Sequence, residues 1–302
     1  MTAQAIPVTL IGGYLGAGKT TLVNHLLRHA DGRRIAVLVN EFGDLPIDGD
    51  LIEARDDDLI TIAGGCICCS FGSDLVAALM AIKSRATAID HIVIETSGVA
   101  LPGAVVQAIA LLPNVVVDGV IVLADAETIE GRARDRYMGD TVLRQLADAD
   151  LILLNKIDLI AAEKTAGLVS WLGTEAPRAR VVAVQNSQIP IELALGLHTD
   201  RLGARGSARP HDTGHYDSFV AERGPIADIE QFSSRLSDPG LGILRAKGFL
   251  RDGGGRLHSL HVVGSRVSIA PESENAERTT RLVFIGLSGQ LDRDTILSIL
   301  SA

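Results

Sequence analysis

The stretch that decides the fold runs from Val8 to Thr20 and reads Val-Thr-Leu-Ile-Gly-Gly-Tyr-Leu-Gly-Ala-Gly-Lys-Thr. Its first four residues have the apolar character of a buried strand, and apolar residues recur at helical spacing after Thr20. The turn between them matches the phosphate-loop pattern of a glycine, four residues and then Gly-Lys-Thr, with Gly13 as the first glycine. This order of strand, glycine-rich turn and helix predicts a loop that binds a nucleotide phosphate.

The chemistry of such a loop explains its residue types. Glycines let backbone N–H groups close around a phosphate without Cβ clashes, and the helix N-terminus adds the positive end of its dipole. Lys19 is a predicted catalytic residue, because its ammonium can reach the outer phosphates, and the Thr20 hydroxyl is a predicted ligand of Mg²⁺. The residues expected to bind the nucleotide are Gly13, Gly16, Ala17, Gly18, Lys19, Thr20 and Thr21.

Length and composition set the bounds of the interpretation. The 302 residues suffice for two domains, and 47% of them are hydrophobic, as suits a sheet that is buried on both faces. A net charge of −9 argues against nucleic acid or an anionic membrane as a partner. No apolar run approaches the ~18 residues that a membrane span needs, and the first residues lack the features of a signal peptide. We therefore expect a cytoplasmic protein.

The pattern along the chain changes once. Strands alternate with helices up to about residue 184, which predicts βαβ units and an α/β fold: a P-loop NTPase domain with a mostly parallel sheet over residues 1–198. Residues 199–215 are rich in Gly, Arg, Asp, His and Ser without apolar periodicity, and we interpret them as a linker. Residues 216–302 show short strands separated by glycine-rich turns, with helices predicted over 225–236 and 292–300, which indicates a smaller α+β domain with an antiparallel sheet.

Polar residues follow the predicted strand that ends at Glu95. A carboxylate there can hold Mg²⁺ through water or orient the attacking water, so Glu95 is the second predicted catalytic residue, with a helix-capping acid as the alternative. Gly98 would let its backbone N–H approach the γ-phosphate. Glu41, Asp44 and Asp48 could complete the magnesium shell, although each fits a solvated loop as well.

The run Asn155-Lys156-Ile157-Asp158 follows another predicted buried strand, Leu151–Leu154. A fixed carboxylate can accept hydrogen bonds from the guanine N1–H and from the exocyclic amine, which adenine cannot offer in that arrangement. The Lys156 stem can pack on the base plane. The run therefore predicts a guanine nucleotide selected by Asn155 and Asp158, the alternative being a plain capping turn.

All three cysteines of the chain lie within four residues, at Cys66, Cys68 and Cys69. This clustering is no disulfide framework and indicates a reducing compartment. Three thiolates favour zinc, copper(I) or cobalt, and they leave one coordination position open, as a transfer or sensing site needs. The alternative is a set of small buried side chains beside the Gly64-Gly65 turn.

The histidines are weaker indicators. His25 and His29 stand one turn apart on the polar face of the first predicted helix, where solvated side chains are a simpler interpretation than a metal pair. His198, His211 and His215 flank the linker at spacings that match no fixed metal site.

Taken in order, these motifs resemble those of the CobW family, the zinc-regulated GTPase metallochaperones or metalloprotein activators. The similarity extends to Asn40–Gly43, which looks like the family's switch loop, and to Lys247–Phe249 and Arg281–Gly286 in its C-terminal domain. The resemblance implies a GTP-hydrolysing metal chaperone that uses GTP, Mg²⁺ and Zn²⁺ and serves a client metalloprotein. The resemblance leaves open whether the protein forms a homodimer.

Two other functions remain compatible with the residues. One is a nucleotide-gated metal sensor or store with little turnover, and the other is an ATP-using phosphotransferase built on the same loop. Asp158 distinguishes the ATP-using phosphotransferase from the GTP-dependent functions, because its carboxylate predicts a strong preference for guanine over adenine.

Overall fold

The computed structural model describes residues 5–39, 79, 89–196, 215–222, 224–272 and 280–301. The chain divides into two compact units, Met1–Ala194 and Leu195–Ala302. The first is built on a parallel sheet with helices and the second on an antiparallel sheet, which confirms the predicted fold class. Among the described helices, none is both long and apolar enough to cross a membrane.

The sheet of the first unit has the strand order β2-β3-β1-β4-β5-β6, and every neighbouring pair is parallel. Its strands are β1 (Ile6–Gly13), β2 (Ile35–Val39), β3 (His91–Glu95), β4 (Val115–Asp125), β5 (Leu151–Asn155) and β6 (Arg180–Ala183). Because all strands point the same way, their carboxyl ends form one edge, where open α/β sheets bind ligands. The central position of β1 places the phosphate loop in the middle of this edge.

Helices cover this sheet. They are α1 (Lys19–Arg28), α2 (Pro102–Ala110), α3 (Ile129–Ala133), α4 (Gly139–Ala147), α5 (Ala162–Glu175) and α6 (Ile191–Leu195). Ile109 of α2, Leu146 of α4 and Leu172 of α5 share one core with alternate strand residues such as Leu10 and Val122. The strands read as unbroken apolar runs because nearly all their side chains are buried, as is usual for parallel sheets.

The second unit contains a five-stranded antiparallel sheet in the order β10-β9-β8-β11-β7. Its elements are β7 (Tyr216–Glu222), α7 (Ile229–Leu236), β8 (Ile243–Arg251), β9 (Leu257–Val263), β10 (Arg266–Pro271), β11 (Arg281–Leu287) and α8 (Arg293–Ser301). Phe232 of α7 and Ile296 of α8 pack in one core with the fully buried Phe284 of β11. The two helices therefore bury the apolar face of this sheet.

Some boundaries differ from those expected from sequence. The helix expected over 225–236 begins only at Ile229, because the Asp228 carboxylate accepts a hydrogen bond from the Gln231 N–H at 2.8 Å and caps the first turn. Helices α3 and α6 were not predicted, since five residues are too few to show a helical period. The sequence also predicts a strand over 59–63 and a helix over 74–85. Both lie outside the described residues except for Leu79, which is buried in the core of the first unit.

Candidate nucleotide site

The phosphate loop connects β1 to α1. Its glycines adopt left-handed backbone angles, with φ of 126° at Gly13, 80° at Gly16 and 106° at Gly18. Only glycine fits at Gly13, because a Cβ there would collide with the backbone carbonyl of Leu123 on β4. Gly18 offers no side-chain cap to α1, so the first N–H groups of the helix need an acceptor. An anionic phosphate supplies that acceptor.

The Lys19 side chain crosses this loop. It is only 8% exposed, and its Nζ donates to the carbonyl oxygen of Tyr14 at 3.4 Å. The ammonium is therefore held close to the loop backbone and largely out of bulk water. From this position it can neutralise charge on the outer phosphates of a bound nucleotide.

Thr20 and Glu95 form the pair that fits Mg²⁺. Parallel pairing of β1 with β3 sets Ile11 opposite Glu95, so the carboxylate lies beside the start of the phosphate loop. The Thr20 hydroxyl donates to Glu95 Oε1 at 2.9 Å, and Glu95 is buried. Hydroxyl and carboxylate oxygens are the hard ligands that Mg²⁺ prefers. These two residues could hold the ion, one of them directly and the other directly or through water.

The segment after β3 lies against the phosphate loop. A Cβ on Gly98 would stand 2.8 Å from the backbone nitrogen of Leu15, so a larger residue would push the two segments apart. Gln145 on α4 fixes this segment by donating from Nε2 to the carbonyl oxygens of Gly98 (3.1 Å) and Ala100 (2.8 Å). Gly98 thus lies directly against the phosphate loop, and the contact of its N–H with a γ-phosphate stays a prediction.

Asn155, predicted to select guanine, makes its contacts with the protein itself. Its Nδ2 donates to the Ala17 carbonyl oxygen and to Ser187 Oγ, both at 2.9 Å, and its Oδ1 accepts from the Ser187 N–H at 2.9 Å. Ser187 Oγ in turn donates to the Gly18 carbonyl oxygen at 3.0 Å. The buried amide thus ties the end of β5, the phosphate loop and the loop after β6 together.

Ser187 is a site residue that sequence reasoning missed. The available signal was weak, namely the polar run Gln185-Asn186-Ser187 at the carboxyl end of the next strand. Asn186 and Ser187 both have positive φ, 50° and 54°, which is uncommon for residues other than glycine. The loop after β6 is therefore held in one specific conformation by the Asn155 contacts.

The next two polar residues of this motif, Lys156 and Asp158, have different surroundings. Lys156 has a left-handed backbone, with φ 63°, and its Nζ pairs with Asp125 Oδ2 at 2.6 Å. Asp158 lies in the 3₁₀ turn Ile157–Leu159 and is exposed. Asp125, at the end of β4, is a second residue that sequence reasoning did not identify. Asp158 remains the carboxylate that can meet a guanine base.

The predicted metal-binding residues Cys66, Cys68 and Cys69 lie outside the described residues, as do Glu41, Asp44 and Asp48. Within the described ranges, no group of three or more His, Cys, Asp or Glu side chains could hold a metal ion. The cysteine site thus stays a prediction from sequence.

His25 is less solvated than its place on the polar face of α1 suggested. It is half-buried, and its Nε2 lies 2.8 Å from the carbonyl oxygen of Ile189, which can only accept, so Nε2 carries a proton. Burial lowers the pKa of His25 below its ordinary value, against the opposing effect of this hydrogen bond. His25 therefore anchors α1 to the loop before α6.

The phosphate loop lies at the centre of a parallel sheet, with Glu95 beside it and the Asp125 carboxylate at the end of the neighbouring strand β4. This arrangement defines a phosphate-loop nucleotide-binding protein. Residues 7–183 match the family model described as CobW/HypB/UreG, nucleotide-binding domain. Residues 216–302 match the model of the cobalamin synthesis protein cobW C-terminal domain. The chain belongs to the CobW family, as its motifs predicted.

Named relatives agree with this assignment. The zinc chaperone CobW of a Sinorhizobium species is 34% identical, over 93% of this chain and 93% of its own length. The zinc chaperone YjiA of Escherichia coli is 37% identical, over 57% of this chain and 56% of its own. Among solved structures, a zinc-bound triple mutant of the YjiA GTPase aligns with 99% of this chain and 98% of its own, at 27% identity and a TM-score of 0.50.

Proposed function

We propose that this protein is a GTP-hydrolysing metal chaperone. In this proposal a transition metal, zinc first among the candidates, binds at Cys66, Cys68 and Cys69 and is delivered to a client metalloprotein. The metal half draws support from a relative named as a zinc chaperone that matches nearly the whole chain. The nucleotide half depends on one observation, the 2.9 Å contact between Thr20 and Glu95 beside the buried Lys19.

Each residue of the nucleotide site has a role in the proposed reaction. The loop backbone and Lys19 bind the phosphates, and Asp158 accepts hydrogen bonds from guanine. Thr20 and Glu95 would hold Mg²⁺, and the ion would supply positive charge that offsets the charge of the phosphate groups. In this proposal Glu95 also orients the water that attacks the γ-phosphorus. The water forms a new P–O bond at the γ-phosphorus while the bond from that phosphorus to the β–γ bridging oxygen breaks. The protons of the water pass to the phosphate product and to solvent, and the products are GDP and inorganic phosphate.

Phosphate release distinguishes this proposal from a sensor or store. Purified protein is mixed with saturating GTP and Mg²⁺, with and without Zn²⁺, and inorganic phosphate is measured over time. Repeated turnover, lost in the Lys19→Ala variant, supports the chaperone. Binding of GTP without multiple turnover in either condition would favour the nucleotide-gated store instead.

The choice of base is tested at Asp158. Asn in its place still accepts from a base N1–H but now donates a hydrogen bond, which suits the C2 carbonyl of xanthine and opposes the amine of guanine. We expect Asp158→Asn to weaken GTP binding and to strengthen XTP binding in a competition assay. Equal binding of ATP and GTP by the unmodified protein would instead support the ATP-using phosphotransferase.

The metal half is tested on zinc itself. Zinc affinity is measured with a competing chelator in the presence of a non-hydrolysable GTP analogue and again with GDP. A difference between the two states supports coupling of hydrolysis to metal release, since a ligand shifts an equilibrium only by its differential affinity. The variant with all three cysteines changed to Ser is the control: it should lose tight zinc binding and keep nucleotide binding. Equal zinc affinities would remove the coupling.

A further inference from the structure

Three charged side chains of alternating sign follow the ends of β4 and β5. The parallel pairing of these strands sets Asp125 opposite Asn155, the residue before Lys156. The Lys156 ammonium lies 2.6 Å from Asp125 Oδ2, a short charge-assisted contact. The two side chains are only 33% and 14% exposed, so the pair is partly shielded from water. Lys156 therefore points toward β4.

The position of Asp125 is fixed as well. Its second oxygen, Oδ1, accepts a hydrogen bond from the backbone N–H of Glu127 at 2.9 Å. With one oxygen on the loop amide and the other on Lys156, the carboxylate has one favoured orientation. The lysine thus meets a preformed partner rather than a mobile one.

Asp158 contrasts with Asp125. It is exposed, and among the described residues its carboxylate makes no hydrogen bond or ion pair. It follows Lys156 by two residues, so their Cα atoms are at most about 7.6 Å apart. The flexible four-carbon stem of lysine can span that distance. Without Asp125, therefore, Lys156 has an alternative partner in the carboxylate that the guanine base requires.

We infer that Asp125 is a positioning residue for base selection: by holding the Lys156 ammonium, it keeps Asp158 available to accept from guanine N1–H and the exocyclic amine. The inference rests on the guanine specificity in the proposed function. The Asp125–Lys156 pair is neutral as a whole, which leaves Asp158 as the net charge beside the base. The aliphatic stem of Lys156, with its head group held to one side, is free to line the base.

The test replaces Asp125 with Asn, which keeps an acceptor for Glu127 N–H and removes the charge. Dissociation constants for GTP, GDP and ITP are measured at low and at high salt; ITP lacks the exocyclic amine. We expect GTP and GDP each to bind about two- to fivefold more weakly, the range of an exposed ion pair competing for Asp158. The affinity for ITP should fall less than the affinity for GTP, so the ratio of GTP to ITP affinity should become smaller. High salt should diminish the difference from the unmodified protein.

Two further variants make the result specific. In Asp125→Asn combined with Lys156→Met the competing ammonium is gone, so the GTP/ITP ratio should recover. Asp90→Asn is the matched control, because it breaks a bidentate ion pair with Arg34 at the opposite end of the same sheet and should leave nucleotide binding unchanged. Thermal melting confirms that each variant is folded.

Each outcome decides the inference. The positioning role would be overturned if Asp125→Asn left the ratio of GTP to ITP affinity unchanged. It would also be overturned if the double variant lost as much of this ratio as the single variant. Either result would leave the proposed guanine specificity intact. An unmodified protein that does not distinguish GTP from ITP and ATP would instead refute the proposed base specificity itself. A smaller ratio of GTP to ITP affinity in the single variant, together with recovery of that ratio in the double variant, supports the positioning role.

Discussion

The Thr20 hydroxyl donates to the Glu95 carboxylate at 2.9 Å, although the two residues are 75 positions apart in the chain. Adjacent parallel strands bring them together, since β1 and β3 are hydrogen-bonded neighbours and end at the same edge. The contact joins the first turn of α1 to the end of β3. Hydrolysis should therefore be sensitive to both residues.

Replacing Glu95 with Gln should abolish most hydrolysis while preserving the fold. Gln keeps an oxygen that accepts from Thr20 but lacks the charge that holds Mg²⁺ or orients water. We expect phosphate release under saturating GTP and Mg²⁺ to fall on the order of 100-fold. The melting temperature should stay near that of the unmodified protein. Thr20→Ser, which retains the hydroxyl, should be much more active than Thr20→Ala; equal rates for these two would exclude a role for the hydroxyl.

Ser187→Ala tests the link between the phosphate loop and the strand ends. The change removes the hydroxyl that accepts from Asn155 and donates to the Gly18 carbonyl, in a site with no exposure. The free energy of unfolding should fall by about 1–3 kcal/mol, because buried polar groups lose their partner. GTP and GDP should bind more weakly by similar factors, since both use the same loop. Chemical denaturation and nucleotide titration measure the two effects.

Ser170→Ala is the comparison for this variant, because Ser170 is exposed on α5. It should change neither stability nor nucleotide affinity. If Ser187→Ala behaved in the same way, the described hydrogen bonds would contribute nothing to the site.

The loop glycines should differ in their tolerance of alanine. Gly16 and Gly18 both have positive φ, but a Cβ at Gly16 meets no atom within 4 Å, whereas at Gly18 it would lie 2.5 Å from Asn155 Nδ2 and 2.6 Å from Ser187 Oγ. Gly16→Ala should thus lower stability only by the backbone strain of about 1–2 kcal/mol. Gly18→Ala should lower the free energy of unfolding clearly more than Gly16→Ala does. Urea unfolding of the nucleotide-free variants measures this, and equal losses would contradict the described packing.

Stability should fall as the pH is lowered, in part through His25. Burial lowers the pKa of His25 in the folded state, so between that pKa and about 6.5 the unfolded chain binds more protons. The free energy of unfolding should therefore decrease below about pH 6.5, by less than about 1.4 kcal/mol per pH unit from this one group. His25→Gln should flatten the slope of the free energy of unfolding against pH in that range, and an unchanged slope would contradict a contribution from His25.

Much of the architecture could be predicted from the sequence, because the parallel strands are buried on both faces and read as apolar runs. Leu151–Asn155, for example, was recognised almost residue by residue. Lys19 and Thr20 are predicted from the fixed spacing of the phosphate-loop motif and Glu95 from its place at a strand end, and the structure brings Thr20 and Glu95 to within 2.9 Å of each other. The helix boundary at Asp228 was misplaced, since a cap depends on one local hydrogen bond rather than on periodicity.

Residues that act through their neighbours could not be found in this way. Asp125 and Lys156 are far apart in sequence, and only the adjacency of β4 and β5 makes them a pair. Ser187 carries no distinctive pattern, and its importance comes from the amide of Asn155. Such contacts require the order of strands in the sheet, which a single sequence does not specify.

The amide of Asn155 has a wider consequence. Because it bonds to Ala17 and to Ser187 at once, the phosphate loop and the loop after β6 are joined through one buried side chain at the end of β5. A substitution at position 155 would therefore remove contacts of the phosphate loop together with those of the loop that follows β6. In the proposed GTP site the base side and the phosphate side would thus be mechanically linked, and a change made for one side would carry a structural cost for the other.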